Sequence, residues 1–288
     1  MDSAQSESMH GVRVALVSGC SSGIGKATAR QLAHAGWLVY AGLRRGSDSP
    51  GSAPERAGLR PISLDVTDEM QLRSAIERIG AETGRLDALI NNAGVDHLAA
   101  VEEQPESALR NVMEVNFFGA MALTRLALPL LRHTAPSFIV MVSSLSGLLG
   151  LPGGSAYCAS KFALEGAAEA LRHEVGRFGI RVALIEPGGY ASAMSAKRTG
   201  TARDPLSPYA PMLEHLAGAP APSADPIGVA LRIIEAIESG APQLRYPVGD
   251  QALAVTASLA TLDDISRQRY ARTVTDLEWW HDGKSSPD

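Results

Sequence analysis

Cysteine is scarce: Cys20 and Cys158, far apart, are the only two in 288 residues. Two such residues build neither a disulfide framework nor a zinc spacing, so a reducing compartment is the simpler setting. The seven histidines show no metal-ligand spacing either, and no metal is expected. Basic residues do not cluster, and the net charge is −5. Phosphate backbones need a basic stripe, so a nucleic-acid partner is not expected. The opening MDSAQSESMH is polar and lacks the apolar core of a signal peptide, and residues 1–10 read as a disordered leader. No membrane span is expected, because the most apolar stretch, around 120–131, contains Arg125 and Pro129. A cytoplasmic location follows as an expectation.

What is present is an alternation. The chain is 45% apolar and 20% charged, enough for one large core. Short apolar runs at 12–18, 38–43, 60–64, 86–91, 138–143, 181–186 and 243–247 read as strands. Helical patterns at 26–35, 69–82, 108–132, 157–178 and 226–239 lie between them. Near-continuous apolar strands separated by helices predict a parallel sheet covered on both faces. The expected fold is therefore α/β: a single doubly wound Rossmann-type domain over 11–250, with about seven strands. Residues 46–55 read as a flexible loop, 188–225 as a substrate lid, and 251–288 as a helical extension.

Gly19, Gly23 and Gly25 fall between the first strand and the first helix, in SGCSSGIG. Glycine lets the chain turn sharply and lets a pyrophosphate approach a helix N-terminus, where free N–H groups favour anions. Ser21, Ser22 and Ile24 share that loop. An acid about 20 residues further on would bind the adenosine ribose, but the region reads GLRR, with Arg44 and Arg45. A guanidinium there suits a 2′-phosphate, so NADP(H) is favoured and NAD(H) is the second option; a pair of solvated loop arginines is the bland reading.

Tyr157 and Lys161 stand four apart and share one helix face. A phenol is a poor base at neutral pH, but a neighbouring ammonium stabilises phenolate and equips it for proton transfer. Around this pair, motifs recur in order: Asn91-Asn92-Ala93-Gly94, Asn116 in VNFFG, Ser144 thirteen before Tyr157, and Pro187-Gly188. Together with the glycine loop, over roughly 12–249, they resemble the short-chain dehydrogenase/reductase superfamily. The branch most similar to YCASKFALEG contains 17β-hydroxysteroid and retinol dehydrogenases.

That resemblance implies an alcohol–carbonyl oxidoreductase with Tyr157 as general acid/base, and Ser144 steadying the substrate oxygen. Lys161 would hold the nicotinamide ribose, and Asn116 a water linking Lys161 to solvent. Asp65 would accept from the adenine amino group beside Val66. Asn91, Ala93 and Gly94 would line the cofactor, and Pro187, Gly188 and Ser192 would approach its nicotinamide. Ser143 competes with Ser144, although the thirteen-residue spacing favours Ser144. Three positions depart from the family pattern: Ser18 and Ser192 replace threonines, and Ser22 stands where many NADP(H)-preferring members carry a basic residue. His97 reads as an ordinary surface histidine, both cysteines as packing, and Trp279-Trp280 as a docked tail or a contact surface.

The apolar stretch 145–157, with Tyr190, Met194, Met212 and Leu213 in the lid, predicts a small-molecule alcohol or carbonyl substrate with a hydrophobic body. Two alternatives stand beside this. A 3-oxoacyl thioester reductase would want a basic lid surface, for which only Lys197, Arg198 and Arg203 are available. A cofactor-sensing binding protein would not need the intact Asn116, Ser144, Tyr157 and Lys161 set. Helices 108–132 and 157–178 resemble those that pair in family homodimers and homotetramers.

Overall fold

Four consecutive buried residues make the first strand, β1 (Val14–Val17), and a strand buried on both faces belongs at the centre of a parallel sheet. The computed structural model describes residues 11–44, 58–190, 199–200, 206–220 and 223–286. After β1 come α1 (Gly23–His34), β2 (Leu38–Leu43), β3 (Leu59–Ser63), α2 (Glu69–Thr83) and β4 (Ala88–Asn91). Then follow α3 (Glu106–Met113), a π turn (Glu114–Phe118), α4 (Gly119–Thr134), β5 (Ser137–Val142) and α5 (Ser155–Val175). The remainder is β6 (Ile180–Pro187), α6 (Ala210–Gly218), α7 (Ile227–Glu238), β7 (Arg245–Val248), α8 (Asp250–Leu259), α9 (Asp264–Thr275) and α10 (Glu278–His281).

The sheet runs β3-β2-β1-β4-β5-β6-β7, parallel throughout. Winding reverses between β1 and β4, which opens a crevice beyond their carboxyl ends, the place where such sheets bind ligands. Alternate residues feed two cores. Leu16, Leu89 and Met141 meet α2, α4 and α5 on one face; Val17, Ile90 and Ile185 meet α1 and α7 on the other. The seven-stranded, doubly wound expectation is borne out.

The helical run Glu106–Thr134 is long and apolar enough, by length and composition, to cross a membrane. In this fold it spends its apolar side on the sheet, burying Leu123, Ala127 and Leu131. Pro129 lies inside α4 without ending it. The stretch 188–225 contains a helix, α6, and the stretch 251–288 carries the helices α8, α9 and α10. Trp279 is buried against Met212, Leu213, Leu277 and Leu98, so the tail docks on the lid helix. The leader 1–10, the loop 46–55, Arg45, Ser192, Met194, Lys197, Arg198 and Arg203 lie outside the described residues.

Candidate active site

At the crevice, backbone geometry accounts for the glycines. Gly19 has φ +73° and Gly23 φ +54°, in the left-handed region. A Cβ on Gly19 would lie 2.9 Å from the Ala93 Cα, and one on Gly25 would collide with the Asn92 amide and the Gly19 carbonyl. The loop is pinned from β4. Asn92 Nδ2 donates to the carbonyls of Ser18 (2.9 Å) and Gly19 (3.2 Å). The N–H groups of Asn92 and Ala93 both donate to Ser18 Oγ at 3.0 Å. Ser22 heads α1 without a side-chain cap, so the first N–H groups of this 12-residue helix face the crevice unsatisfied by it. A pinned, glycine-rich loop before an uncapped helix fits a dinucleotide pyrophosphate, with Ser21, Ser22, Gly23 and Ile24 along its path.

The other expected cofactor residues distribute unevenly. Arg44 is exposed just past β2, on the crevice side of Gly42, whose carbonyl accepts from Cys20 N (2.9 Å). Asp65 closes its own turn, its Oδ1 accepting from Thr67 N (3.0 Å) and Thr67 Oγ1 (2.8 Å). Val66 is buried where Gly119 lets the start of α4 approach its backbone. Asn91 is buried and turned away from the loop: its Nδ2 donates to Thr124 Oγ1 at 2.9 Å and to Met141 Sδ at 3.3 Å. Its side chain therefore braces α4, and the loop-facing amide is that of Asn92, a residue not among the expected cofactor contacts. Ala93 and Gly94 stay at the crevice mouth, half-buried. Pro187 is buried at the end of β6, and Gly188 N donates to Val248 O at 3.2 Å. Gln251 of α8 accepts from Gly189 N at 3.0 Å, so the extension holds this turn.

Tyr157, Lys161 and Ser144 converge one strand further on. Ser144 follows β5 and caps a short turn, its Oγ accepting from Ser146 N at 3.2 Å. Lys161 Nζ lies 5.6 Å from the centroid of the Tyr157 ring and donates to Val142 O at 2.8 Å. Lys161 is only 3% exposed. Burial pulls its ammonium down to about 8, against the opposing charges of Glu165 and Asp96. Asn116 sits in the π turn, a local insertion common at functional sites. Its side chain joins three elements: Nδ2 donates to Val95 O (2.9 Å) and Ser160 Oγ (3.0 Å), and Oδ1 accepts from Val95 N (2.8 Å). Ser160 Oγ in turn donates to Tyr157 O at 2.7 Å. Both amide protons of Asn116 are thus committed to protein.

Other sequence expectations are corrected. His97 is not a surface residue: it is 7% exposed, in a two-residue strand (His97–Leu98) paired with Thr199–Gly200, and burial lowers its pKa. Met212 and Leu213 face the docked tail and Leu98. Leu149 is buried against Val255 and Leu259, and Arg267 donates to Leu148 O at 2.9 Å. Tyr190 packs toward Gly249 and Gly228. Much of the apolar surface expected to meet substrate is therefore consumed in anchoring the lid and the extension. Both cysteines are buried: burial pushes Cys20 up to about 12 and raises Cys158, so neither is a poised nucleophile.

Comparison with known proteins agrees with this geometry. The family model for the short chain dehydrogenases matches residues 13–202. The chain is 38% identical over 186 residues to a 3-ketodihydrosphingosine reductase of Bacteroides thetaiotaomicron, covering 65% of this chain and 67% of that one. It is 33% identical over 285 residues to retinol dehydrogenase 8 of Bos taurus, covering 91% and 88%. A short chain dehydrogenase from Burkholderia cenocepacia solved with NADP superposes with a TM-score of 0.73 at 26% identity, covering 90% and 97%.

Proposed function

The chain belongs to the short-chain dehydrogenase family, and we propose that it interconverts an alcohol and a ketone or aldehyde on a hydrophobic substrate, with Tyr157 moving the proton and NADP(H) preferred. The observation that carries this reading is the buried ammonium of Lys161 beside the Tyr157 ring. A positive charge beside that ring favours phenolate over phenol. Tyr157 then gives its proton to the substrate oxygen in reduction and takes it back in oxidation. Ser144 donates to the same oxygen as charge develops there. The π turn interrupts the regular helical ladder at Asn116, which makes the main-chain carbonyl there the natural seat for a water leading from Lys161 to solvent.

The glycine loop, the α1 N-terminus and the Pro187-Gly188 turn would hold the dinucleotide. When bound, it supplies the hydride acceptor or donor. Arg44 supports a 2′-phosphate, and the NADP-bound relative is consistent with that choice. The hydrophobic substrate class rests on the relatives named for sphingoid and retinol substrates. Self-association is part of the reading, supported by the exposed Leu109, Phe118 and Phe162 on the α3–α4 run and α5. The test is steady-state turnover of hydrophobic ketones, aldehydes and alcohols with each cofactor. Tyr157→Phe is expected to lower kcat by about 10²–10⁴-fold while cofactor binding persists. Undiminished turnover in that variant, or wild-type activity confined to small polar sugars, would overturn the proposal. Equal use of both cofactors would remove the role given to Arg44.

A further inference from the structure

Two carboxyl groups that this chemistry does not use lie behind Lys161. Glu165 is one turn further along α5, on the same face as Tyr157 and Lys161, and is 5% exposed. Glu186 comes from β6, directly before the Pro187-Gly188 turn, and is fully buried. Both reach one cation on β7. Arg245 Nη2 is 3.1 Å from Glu165 Oε2, and its Nε is 3.2 Å from Glu186 Oε1. A third acid, Glu169, meets the same Nη2 at 2.7 Å from a half-exposed position.

The charges do not balance. With all three carboxylates ionised, three anions face two cations, Arg245 and the buried Lys161 ammonium, and two of those anions have almost no water to solvate them. The Glu186 oxygens accept no hydrogen bond among the described residues, although one is at ion-pair distance from Arg245. A single proton on the pair relieves both problems at once. Burial, then the neighbouring Glu165 charge, push Glu186 up to about 7, against Arg245. Burial also raises Glu165, opposed by Ser143 and Arg245 and assisted by Glu169. Facing Lys161 itself are Glu165, Asp96, Tyr157 and the Val142 carbonyl.

We propose that Glu165 and Glu186 form a coupled acid pair that holds one proton between them, with Glu165 the positioning residue that keeps Lys161 charged. As pH rises, the pair gives up its proton to solvent and becomes doubly anionic. The added charge stabilises the buried ammonium over the range where burial would otherwise strip it. Glu165 delivers this effect because it shares the helix face with Lys161. Glu186 governs it indirectly, by deciding how fully Glu165 is ionised.

The two glutamates therefore give different outcomes. In Glu165→Gln, the alkaline limb of kcat/KM moves down by roughly one pH unit, because Lys161 loses a neighbouring anion. In Glu186→Gln, Glu165 remains the ionised neighbour of Lys161 at alkaline pH, so the limb stays put. Glu165→Asp retains the charge and keeps a limb near the wild type, which covers a failure of Glu165→Gln to fold. This kinetic arm rests on the proposed oxidoreductase reading; a second arm does not. Carbon-13 NMR of protein labelled at glutamate side-chain carboxyls should show one group titrating near neutral pH, absent from Glu186→Gln and shifted down in Glu165→Gln. Limbs that shift together, or no carboxyl titrating between roughly pH 5.5 and 8, would overturn the pair. A wild type that turns over no substrate but shows the neutral carboxyl would refute the reaction and leave the pair standing.

Discussion

Two clusters in this protein use the same residue types and arrive at opposite electrostatics. At the β3 edge of the sheet, one carboxylate, Glu82, meets Arg78 Nε at 2.6 Å, Tyr40 Oη at 2.7 Å and Arg60 Nη1 at 2.7 Å. At the far edge, two buried carboxyls share Arg245. Hydrogen bonds from Arg78 and then Tyr40 and Arg60 hold Glu82 down at about 2, whereas burial holds Glu186 up near 7. The ratio of cations to carboxylates, and access to water, decide the sign. The first cluster fastens α2 to the sheet and has every carboxylate oxygen satisfied. The second keeps the Glu186 oxygens unsatisfied behind the candidate site, the kind of local violation that a functional site tolerates.

The largest test of this contrast removes the cation from each. Arg245→Met removes the guanidinium that both buried carboxyls share and is expected to cost about 3–5 kcal/mol at pH 8, read by urea denaturation. Arg60→Met removes one of two guanidiniums from a partly exposed carboxylate and should cost under about 1 kcal/mol. Equal losses would break the comparison. Next in size, Lys161→Met removes a buried ammonium whose folded pKa lies below its unfolded value. Its cost is full below pH 8, where both states are charged, and fades as pH rises toward the unfolded value. The variant should thus be more stable than wild type at pH 6 by roughly 1–3 kcal/mol, after discounting the lost bond to Val142, while turnover is abolished. A variant less stable at pH 6 would show that the ammonium is not under strain.

These clusters also mark where sequence reasoning stops. The seven strands were legible because strands buried on both faces must be apolar throughout, and glycines that no side chain can replace announce a tight approach. Tyr157 and Lys161 were legible through helical spacing. Asn92 and Ser18 were not distinguished as a clasp, because the contact spans more than seventy residues. Asn91 and Asn92 look alike in sequence, yet strand alternation sends one to α4 and the other to the glycine loop. His97 and Met212 were misplaced for a related reason: their burial depends on a strand pair and on a tail that docks from the end of the chain. Glu165, Glu186 and Arg245 come from three elements that meet only through the order of β5, β6 and β7, so no spacing announces them.

The finest test asks each cluster for the sign of its pH dependence. Glu82 has a folded pKa below its unfolded one, so its contribution is complete above about pH 4.5 and is lost as pH falls toward 2. Glu186 is the reverse: its favourable term is complete below about pH 4.5 and is lost as pH rises through 7. Glu82→Gln should therefore lose about 1 kcal/mol at pH 7, a value kept small because a third of that side chain meets solvent. Glu186→Gln should gain on wild type between pH 5 and pH 8, by about 1 kcal/mol, because part of the relief passes to Glu165 instead. Thermal denaturation of both variants across roughly pH 2–8 measures the two slopes. If the wild-type-minus-variant differences run in the same direction, burial and cation count do not separate the clusters, and the acid pair behind Lys161 loses its physical basis.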